Sequence, residues 1–250
     1  MRVAVITGGS SGIGAALARR LAQRDFRCVL VARGRERLER VSAEVGGEAE
    51  TCDVADRGAV DRLVRRVSKR HSAIHLLVNN AGIPGRKGFV DIDLDHVEAV
   101  TRVNYLGSVW CLRAFLPLLA AGAPSRVVNV VSVAGTVSGG PSGPYTAAKH
   151  AQLAFSRSVT AELAPRNIRV LTVNPGLTHT EGFPQDRFLE HRIWRHVVVT
   201  PEHVADAIVD ALAAGRVEVM VPAYYRMASA LEGIAPATVA RLASRRRPGG

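Results

Sequence analysis

The sequence has little cysteine, little lysine and no long apolar segment. Its three cysteines, Cys28, Cys52 and Cys111, are far apart and lie in apolar surroundings. An odd, scattered set is typical of reduced thiols in a reducing compartment, so no disulfide or zinc site is predicted. No run approaches eighteen apolar residues, and residues 3–6 lead into a glycine loop instead of a signal peptide. We therefore expect a soluble, cytoplasmic protein.

Basic residues outnumber acidic ones, and the net charge is +11. Lysine occurs only at positions 69, 87 and 149, so almost all of this charge is arginine, scattered among acids and alanines along helical stretches. That distribution indicates solvated helix faces, and no nucleic-acid partner is expected. Arg241 and residues 245–247 form a terminal cluster, for which peripheral contact with a membrane surface or with nucleic acid remains an alternative as an added activity.

Two kinds of site are disfavoured by missing patterns. The histidines at 179, 191, 196 and 203 match no common ligand spacing, so no metal site is predicted. No Gly-Lys-Ser or Gly-Lys-Thr follows the glycine loop, which disfavours a P-loop nucleotidase. With 250 residues, 47% of them hydrophobic, the chain suits one large α/β domain with a substantial core.

A glycine-rich turn between a strand and a helix is present at the amino terminus. The strand is predicted over residues 3–6, and the turn occupies residues 7–14. Gly8 can make the tight turn, Gly12 lets the backbone approach a pyrophosphate, and Gly14 lets the helix pack closely on the strand. The helix N-terminus adds N–H groups and a positive dipole. This arrangement predicts a dinucleotide-binding unit.

The second predicted strand, residues 27–32, ends at Arg33. At this position, about twenty residues beyond the glycine loop, an acid accepts from the ribose 2′-hydroxyl of NAD, whereas an arginine pairs with the 2′-phosphate of NADP. Arg33, helped by Arg35 or Arg37, therefore predicts NADP(H). The alternative is a solvated charge in an arginine-rich protein.

Residues 126–149 join a predicted buried strand, a loop and a helix start. Ser132 ends the strand, and a loop rich in Gly, Ser and Pro leads to Tyr145 and Lys149. Four residues apart on one helix face, the ammonium can lie near the phenol. At about 4 Å and an effective dielectric of about 20, two charges interact by roughly 4 kcal/mol, enough to lower the tyrosine pKa from about 10 toward neutrality. Tyr145 is thus predicted to act as an acid or base near pH 7; a surface tyrosine beside a solvated lysine is the alternative.

A serine thirteen residues before Tyr-x3-Lys resembles the active site of the short-chain dehydrogenase/reductase family, and Gly-x3-Gly-x-Gly is that family's glycine pattern. The resemblance covers about residues 3–221. It implies the catalytic set Asn104, Ser132, Tyr145 and Lys149. The implied fold is α/β, a single doubly wound, Rossmann-type parallel sheet of about seven strands with helices on both faces.

The resemblance also implies the cofactor contacts. Asp53 and Val54 would meet the adenine, the motif at 79–82 would close over the adenosine end, and Thr180 would bond the nicotinamide. The expected contacts are Gly8, Ser10, Ser11, Gly12, Ile13, Gly14, Arg33, Asp53, Val54, Asn80, Ala81, Gly82, Tyr145, Lys149, Pro175, Gly176, Thr178 and Thr180. Ser11 lends NADP no support, because some NADP-using relatives carry a second basic residue there.

The implied activity is NADP(H)-dependent reduction of a carbonyl, or oxidation of a secondary alcohol. Tyr145 would donate the proton, Ser132 would orient the oxygen, and Lys149 would lower the tyrosine pKa and hold the nicotinamide ribose. Asn104 would kink its helix and hold a water that completes the proton relay. A catalytically idle NADP-binding or scaffold protein is the alternative.

Residues 1–221 are predicted to form the catalytic domain, with a substrate lid at about 181–200, and 222–250 a carboxyl-terminal extension with a basic end. Aromatic and aliphatic residues of the lid face small residues at 139–144, which predicts an apolar substrate. The lid residues meant are Phe183, Phe188, Ile193 and Trp194. They could instead anchor the lid to the core, and Arg187, Arg192 and Arg195 could face an anionic substrate. Tyr224, Tyr225, Met227 and Leu231 could add an apolar wall or belong to a helix packed on the body.

Association is the last expectation. In the family, the helix that contains Asn104 and the helix that starts at Tyr145 pack against their counterparts in a second subunit. Small residues on the second helix, at positions 147, 148, 151 and 154, would permit close approach. We expect at least a dimer.

Overall fold

The computed structural model describes residues 1–85, 90–138, 143–190 and 197–245, except for the side chains of 187, 188, 240 and 242–245. Its centre is a seven-stranded sheet of order β3-β2-β1-β4-β5-β6-β7 in which every pairing is parallel. The strands are β1 Arg2–Thr7, β2 Phe26–Ala32, β3 Glu48–Thr51, β4 Leu76–Asn79, β5 Ser125–Val130, β6 Ile168–Pro175 and β7 Glu218–Val221. Strand order reverses between β1 and β4, which opens a crevice at the carboxyl ends of the strands.

Helices cover both faces of the sheet, so the predicted doubly wound architecture is confirmed. They are α1 Gly12–Ala22, α2 Arg35–Glu44, α3 Arg57–Ser68, α4 Leu94–Thr101, α5 Gly107–Ala121, α6 Gly143–Leu163, α7 Asp186–Leu189, α8 Pro201–Ala213, α9 Tyr225–Ile234 and α10 Pro236–Arg245. Residues of α1, α2 and α8 share one apolar core with the sheet. Residues of α3, α5 and α6 form the core on the opposite face.

The helix that contains Asn104 is interrupted. Residues 102–106 form a π-helical turn between α4 and α5, and Asn104 lies inside it. By length and composition alone, the continuous helical segment Leu94–Ala121 could cross a membrane, although it contains no uninterrupted apolar run of that length. In the fold its residues Cys111, Phe115 and Leu119 are buried in the core against the sheet. The segment is therefore a core helix of this domain.

The first helix begins earlier than expected. Helix α1 starts at Gly12, within the glycine turn, instead of after it. Backbone N–H groups at the start of a helix have no partners inside the helix, so this start turns them toward the crevice. Strand β4 runs over Leu76–Asn79, so that Asn79 belongs to the sheet.

Candidate active site

The glycine turn is fixed to the end of β4 by two polar side chains. The Thr7 hydroxyl donates to the Val78 carbonyl at 3.2 Å and accepts from the backbone N–H groups of Asn80 and Ala81 at 3.0 and 3.1 Å. The Asn80 amide donates back to the carbonyls of Thr7 and Gly8 at 3.0 and 3.2 Å. These bonds join the turn after β1 to the motif after β4, so both sides of the crevice hold a fixed shape.

Three glycines allow the close approaches that the turn requires. Gly8 and Gly12 have φ angles of +66° and +53°, which disfavour any residue with a Cβ. A Cβ on Gly12 would also lie 2.9 Å from the Thr180 methyl. A Cβ on Gly14 would lie 2.3 Å from the Gly8 carbonyl oxygen, so Gly14 acts in packing behind the turn.

A single cavity of about 1300 Å³ follows the carboxyl ends of the strands. All the predicted catalytic and cofactor residues line it except two, Gly14 and Asn104, which lie behind its wall. Residues that the sequence did not point to also line it, among them Arg40, Ile83, Leu177 and Gln185. The cavity therefore brings together residues that are as far apart in the chain as Gly8 and Tyr225.

Ser132 and Tyr145 meet at one end of this cavity. Ser132 follows β5, and its hydroxyl accepts from the Ala134 N–H at 3.1 Å and donates to the Pro175 carbonyl at 3.5 Å. Tyr145 lies in the first turn of α6, half-buried, with its ring centroid 5.6 Å from that of Phe183. A hydrogen bond joins its hydroxyl to Ser132. The predicted serine and tyrosine thus form one polar pair beside an aromatic wall.

The electrostatics of this pair contradict the sequence prediction. Burial raises the pKa of Tyr145 to about 12, although the hydrogen bond with Ser132 lowers it in part. Burial also lowers the pKa of Lys149 to about 7. The Lys149 ammonium lies 5.8 Å from the centre of the tyrosine ring and donates instead to the Val130 carbonyl at 3.1 Å and to Gln152 Oε1 at 2.8 Å. The expected lowering of the tyrosine pKa was wrong because it counted the charge and omitted the burial of both groups.

Asn104 is fully buried behind the catalytic pair. Its Oδ1 accepts from the Ile83 N–H at 2.8 Å, and its Nδ2 donates to the Ile83 carbonyl at 2.9 Å. Ile83 follows the Asn80-Ala81-Gly82 motif and lines the cavity. Asn104 therefore holds the strand-end loop in place, and its part in a proton relay stays a prediction.

Arginines gather at the other end of the cavity. Arg33 follows β2, and three further arginines from the start of α2 lie beside it: Arg35, Arg37 and Arg40. Asp53, across from them, accepts from the Ala55 N–H at 2.9 Å, which fixes its carboxylate at the end of β3. This end of the cavity is accordingly lined by four arginines and Glu36 on one side and by the fixed carboxylate of Asp53 on the other.

The carboxyl-terminal extension closes the catalytic end. The Tyr225 ring, at the start of α9, lies against Gly176, where a Cβ would come within 2.1 Å of it. Tyr225 is hydrogen-bonded to the backbone of Leu177, and both residues line the cavity. The sequence allowed Tyr225 either to add an apolar wall to the pocket or to belong to a helix packed on the body. In the structure Tyr225 lines the cavity and also belongs to helix α9.

Part of the predicted lid cannot be placed. Ile193, Trp194, Arg192 and Arg195 lie outside the described residues, as do the side chains of Arg187 and Phe188 and residues 139–142 on the opposite side. Within the described part of the lid, Phe183 lines the cavity and Thr180 accepts from its N–H at 3.1 Å. Phe183 is thus the described aromatic of the lid that faces Tyr145.

Sequence and fold comparisons agree on one family. The family model described as short chain dehydrogenase matches residues 2–187. The chain is 35% identical over 182 residues to a 3-oxoacyl-(acyl-carrier-protein) reductase of Bos taurus, covering 72% of this chain and 77% of that one. It is 36% identical over 225 residues to a 1-deoxy-11-beta-hydroxypentalenate dehydrogenase of Streptomyces avermitilis, covering 85% and 82%.

A solved structure extends the comparison to the fold. An alcohol dehydrogenase from the archaeon Thermococcus sibiricus, complexed with 5-hydroxy-NADP, superposes with a TM-score of 0.78 at 28% identity, covering 88% of this chain and 95% of that one. The matched residues include the glycine turn, the Ser132 and Tyr145 pair and Lys149, and the sheet order agrees with the family's doubly wound architecture. The chain belongs to the short-chain dehydrogenase/reductase family of oxidoreductases, whose members use nicotinamide cofactors.

Proposed function

We propose that this chain is an NADP(H)-dependent oxidoreductase that reduces a carbonyl group, or oxidises a secondary alcohol, of an apolar substrate. The observation that carries the proposal is the cavity itself, with Ser132, Tyr145 and Lys149 at one end and Arg33 at the other. A nicotinamide cofactor bound along this cavity supplies or accepts the hydride. The solved relative with 5-hydroxy-NADP supports this choice of cofactor.

The described residues fit a dinucleotide. Gly8 and Gly12 leave the backbone of the turn open where side chains would otherwise project, and α1 begins at Gly12 with its N–H groups toward the crevice. A helix N-terminus of this kind favours a pyrophosphate. A cavity of about 1300 Å³ is larger than the pockets that bind most small ligands, so it can hold a dinucleotide together with a substrate.

Arg33 is the arginine best placed to choose NADP. Its neighbours are engaged by carboxylates: Arg35 pairs with Glu39, Arg37 with Glu181 and Arg40 with Glu36. In the part of the chain that the structure describes, no carboxylate pairs with Arg33. A guanidinium that lines the cavity without a carboxylate is available for a 2′-phosphate, which it can bind through two parallel hydrogen bonds.

The raised pKa of Tyr145 favours the reductive direction. With a pKa of about 12, the phenol keeps its proton near pH 7, and a proton donor is what carbonyl reduction requires. Ser132 holds the substrate oxygen beside the phenol, so that Tyr145 donates its proton as negative charge develops on that oxygen. The Lys149 ammonium, where protonated, stabilises the tyrosinate that remains.

The walls around Tyr145 support an apolar substrate. Phe183 stands beside the phenol, and Leu177 and Tyr225 line the cavity near the end of β6. Tyr225 directs its hydroxyl to the Leu177 backbone, which leaves its ring as the surface toward the cavity. Aromatic and aliphatic walls with few polar groups are typical of pockets for hydrophobic ligands.

The proposal is tested by following NADPH oxidation with a panel of ketones, aldehydes and acyl thioesters, the last chosen because of the bovine relative's name. We expect turnover with at least one class. In a homologous series of ketones, kcat/KM should rise several-fold per added methylene until the pocket fills, since each buried methylene contributes about 0.8 kcal/mol. A flat or falling series would contradict the apolar pocket alone. Tight NADPH binding without turnover of any carbonyl would instead favour a catalytically idle protein.

A further inference from the structure

Lys149 is held from behind by two acceptors. Its side chain is 3% exposed, and its ammonium donates to the Val130 carbonyl at 3.1 Å and to Gln152 Oε1 at 2.8 Å. An ammonium has three donors. Two of them point into the protein, which leaves the third for the cavity that Lys149 lines. The position of the lysine charge is therefore set by the acceptors behind it.

The orientation of Gln152 is itself fixed. Gln152 is fully buried, and its Nε2 donates to the Ser108 hydroxyl at 2.8 Å. Ser108 is 4% exposed and lies in α5, four residues after Asn104. Because Ser108 engages the amide nitrogen, the amide oxygen faces Lys149. A chain of three buried side chains thus runs from α5 through Gln152 to the catalytic lysine.

We infer that Gln152 is a positioning residue of the active site, which holds the Lys149 ammonium through its amide oxygen and is oriented by Ser108. This inference rests on the proposed function. A neutral amide suits the task, because it accepts from the ammonium without cancelling the positive charge that Tyr145 and the cofactor ribose would meet. A carboxylate at 152 would cancel that charge, and an apolar side chain would leave the buried ammonium with Val130 alone.

The energetic consequence concerns the protonation of the lysine. Burial lowers the pKa of Lys149 to about 7, so the charge is marginal at neutral pH. An acceptor that binds the protonated form opposes this lowering. Without the amide oxygen, Lys149 should lose its proton at lower pH, whereas a carboxylate in its place should delay the loss to higher pH.

The small number of lysines makes this directly measurable. The chain contains only Lys69, Lys87 and Lys149, so protein labelled with ¹³C at the lysine ε-carbon gives three resonances in an NMR titration. Lys149→Met identifies the signal of interest, and exposed Lys69 is an internal reference. The measurement needs no substrate and no turnover, so it separates failure of this inference from failure of the proposed function.

We expect Gln152→Leu to lower the Lys149 midpoint by about one pH unit and Gln152→Glu to raise it. Ser108→Ala, which keeps Gln152 but frees its amide, should lower the midpoint by less, and it serves if Gln152→Leu does not fold. The matched control is Ser156→Ala. Ser156 is fully buried on the same helix, but its hydroxyl bonds Asn129 and Thr172 in a separate network, so the Lys149 midpoint should not move.

Turnover and cofactor affinity provide the second readout. In the reductase assay the alkaline limb of the kcat/KM profile should move to lower pH in Gln152→Leu and to higher pH in Gln152→Glu. NADPH affinity at pH 8 should fall about tenfold in Gln152→Leu, since the protonated fraction of Lys149 falls by about that factor when its midpoint drops by one pH unit. A role in helix packing alone would reduce thermal stability and leave the midpoint where it is. An unchanged midpoint in Gln152→Leu, or equal shifts in Ser156→Ala, would overturn the inference.

Discussion

The proposed preference for NADP(H) depends on Arg33. Replacing it with serine removes a charge-assisted pair worth roughly 1.5 to 3 kcal/mol, so NADPH should bind about ten- to a hundred-fold more weakly while NADH binding changes little. Fluorescence titration of both nucleotides measures this. Arg35→Ala is the control, because Arg35 is exposed and already pairs with Glu39. If the unaltered protein bound NADH as tightly as NADPH, the assignment of Arg33 would be wrong.

The proposed reaction depends on Tyr145 as its proton donor. Tyr145→Phe removes the transferable proton and keeps the ring that packs beside Phe183. Turnover should fall by about 10² to 10⁴-fold, the range of general acid catalysis, with NADPH affinity nearly unchanged. Steady-state rates and cofactor titration on the same preparation check both parts. Phe183→Leu is a useful companion, since it alters the wall and retains the proton, and it should change KM more than kcat. Substantial turnover by Tyr145→Phe would refute the mechanism.

For individual residues, the sequence predicted which side chains lie together better than it predicted their pKa values. Tyr145 and Lys149 share a helix face by spacing alone, and Ser132 lies just after β5, so their convergence could be deduced. The pKa of Tyr145 could not, because it depends on how deeply the cavity buries the phenol. Gln152 was missed although it lies three residues after Lys149, a spacing that does place side chains together on a helix. The signal that could have revealed Gln152 was its polar side chain on the buried side of that helix.

Helices α5 and α6 carry the proposed subunit contact. On α6, Ala147 and Ala154 are exposed and Ala151 is half-buried, so small residues do lie on an outer face. Ala148, which the sequence analysis grouped with them, is buried within the chain and is not available for contact. We predict at least a dimer, to be measured by sedimentation velocity over a hundred-fold range of concentration. Ala154→Glu should weaken the dimer by placing a charge in the contact, whereas a monomer mass at every concentration would rule it out.

Most strands could be read from the sequence because they are short, β-branched apolar runs that parallel sheets bury on both faces, whereas the edge strand β3 has the sequence Glu-Ala-Glu-Thr. The elements that escaped prediction lack such a signal. Helix α2 buries only Leu38, Val41 and Ser42 among charged residues, and most of its sequence reads as solvated surface. The π turn at 102–106 depends on backbone pairing to the fifth residue, which leaves no periodicity in the side chains. Asn104, a poor helix former, was the one hint of it.

Across the whole molecule, the excess of arginine is distributed into ion pairs between elements. Arg19 joins α1 to Glu44 at the end of α2, Arg20 joins α1 to Asp206 of α8, and Arg157 joins α6 to Glu218 of β7. Such exposed pairs each contribute little to stability. In this chain of net charge +11, arginines such as these therefore connect neighbouring helices and strands at the surface.

Several of these ion pairs meet at Glu48, at the edge of the sheet. Burial alone would raise the pKa of Glu48, but hydrogen bonds from Arg27, His71 and Arg70 outweigh it and lower the pKa from 4.5 to about 2. A lowered carboxyl pKa stabilises the fold above the unfolded value, and this contribution is lost as the pH falls from about 4.5 toward 2. Glu48→Gln should therefore reduce the free energy of unfolding at pH 7 by about 1 kcal/mol, allowing for solvent screening.

Urea unfolding at pH 7 and in steps down to pH 2 measures this effect. The difference between Glu48→Gln and the unaltered protein should shrink as the pH falls. Glu36→Gln is the control, since Glu36 is 92% exposed and pairs with Arg40 within one helix, so its loss should hardly register. A difference that stayed constant down to pH 2 would mean that Glu48 acts through packing and not through its charge.

The contact of Tyr225 with Gly176 has a consequence for the order in which the chain leaves the ribosome. Along the chain, the glycine turn and the paired strands β1 and β2 precede Ser132, Tyr145 and Lys149, and Tyr225 follows all of them. The wall over Gly176 exists only after residue 225 has been added. A nascent chain halted after β7 would carry the cofactor turn and the proton donor but one side of its substrate pocket would be open to water. The wall beside Gly176 is therefore completed after the cofactor turn and the proposed proton donor have been synthesised.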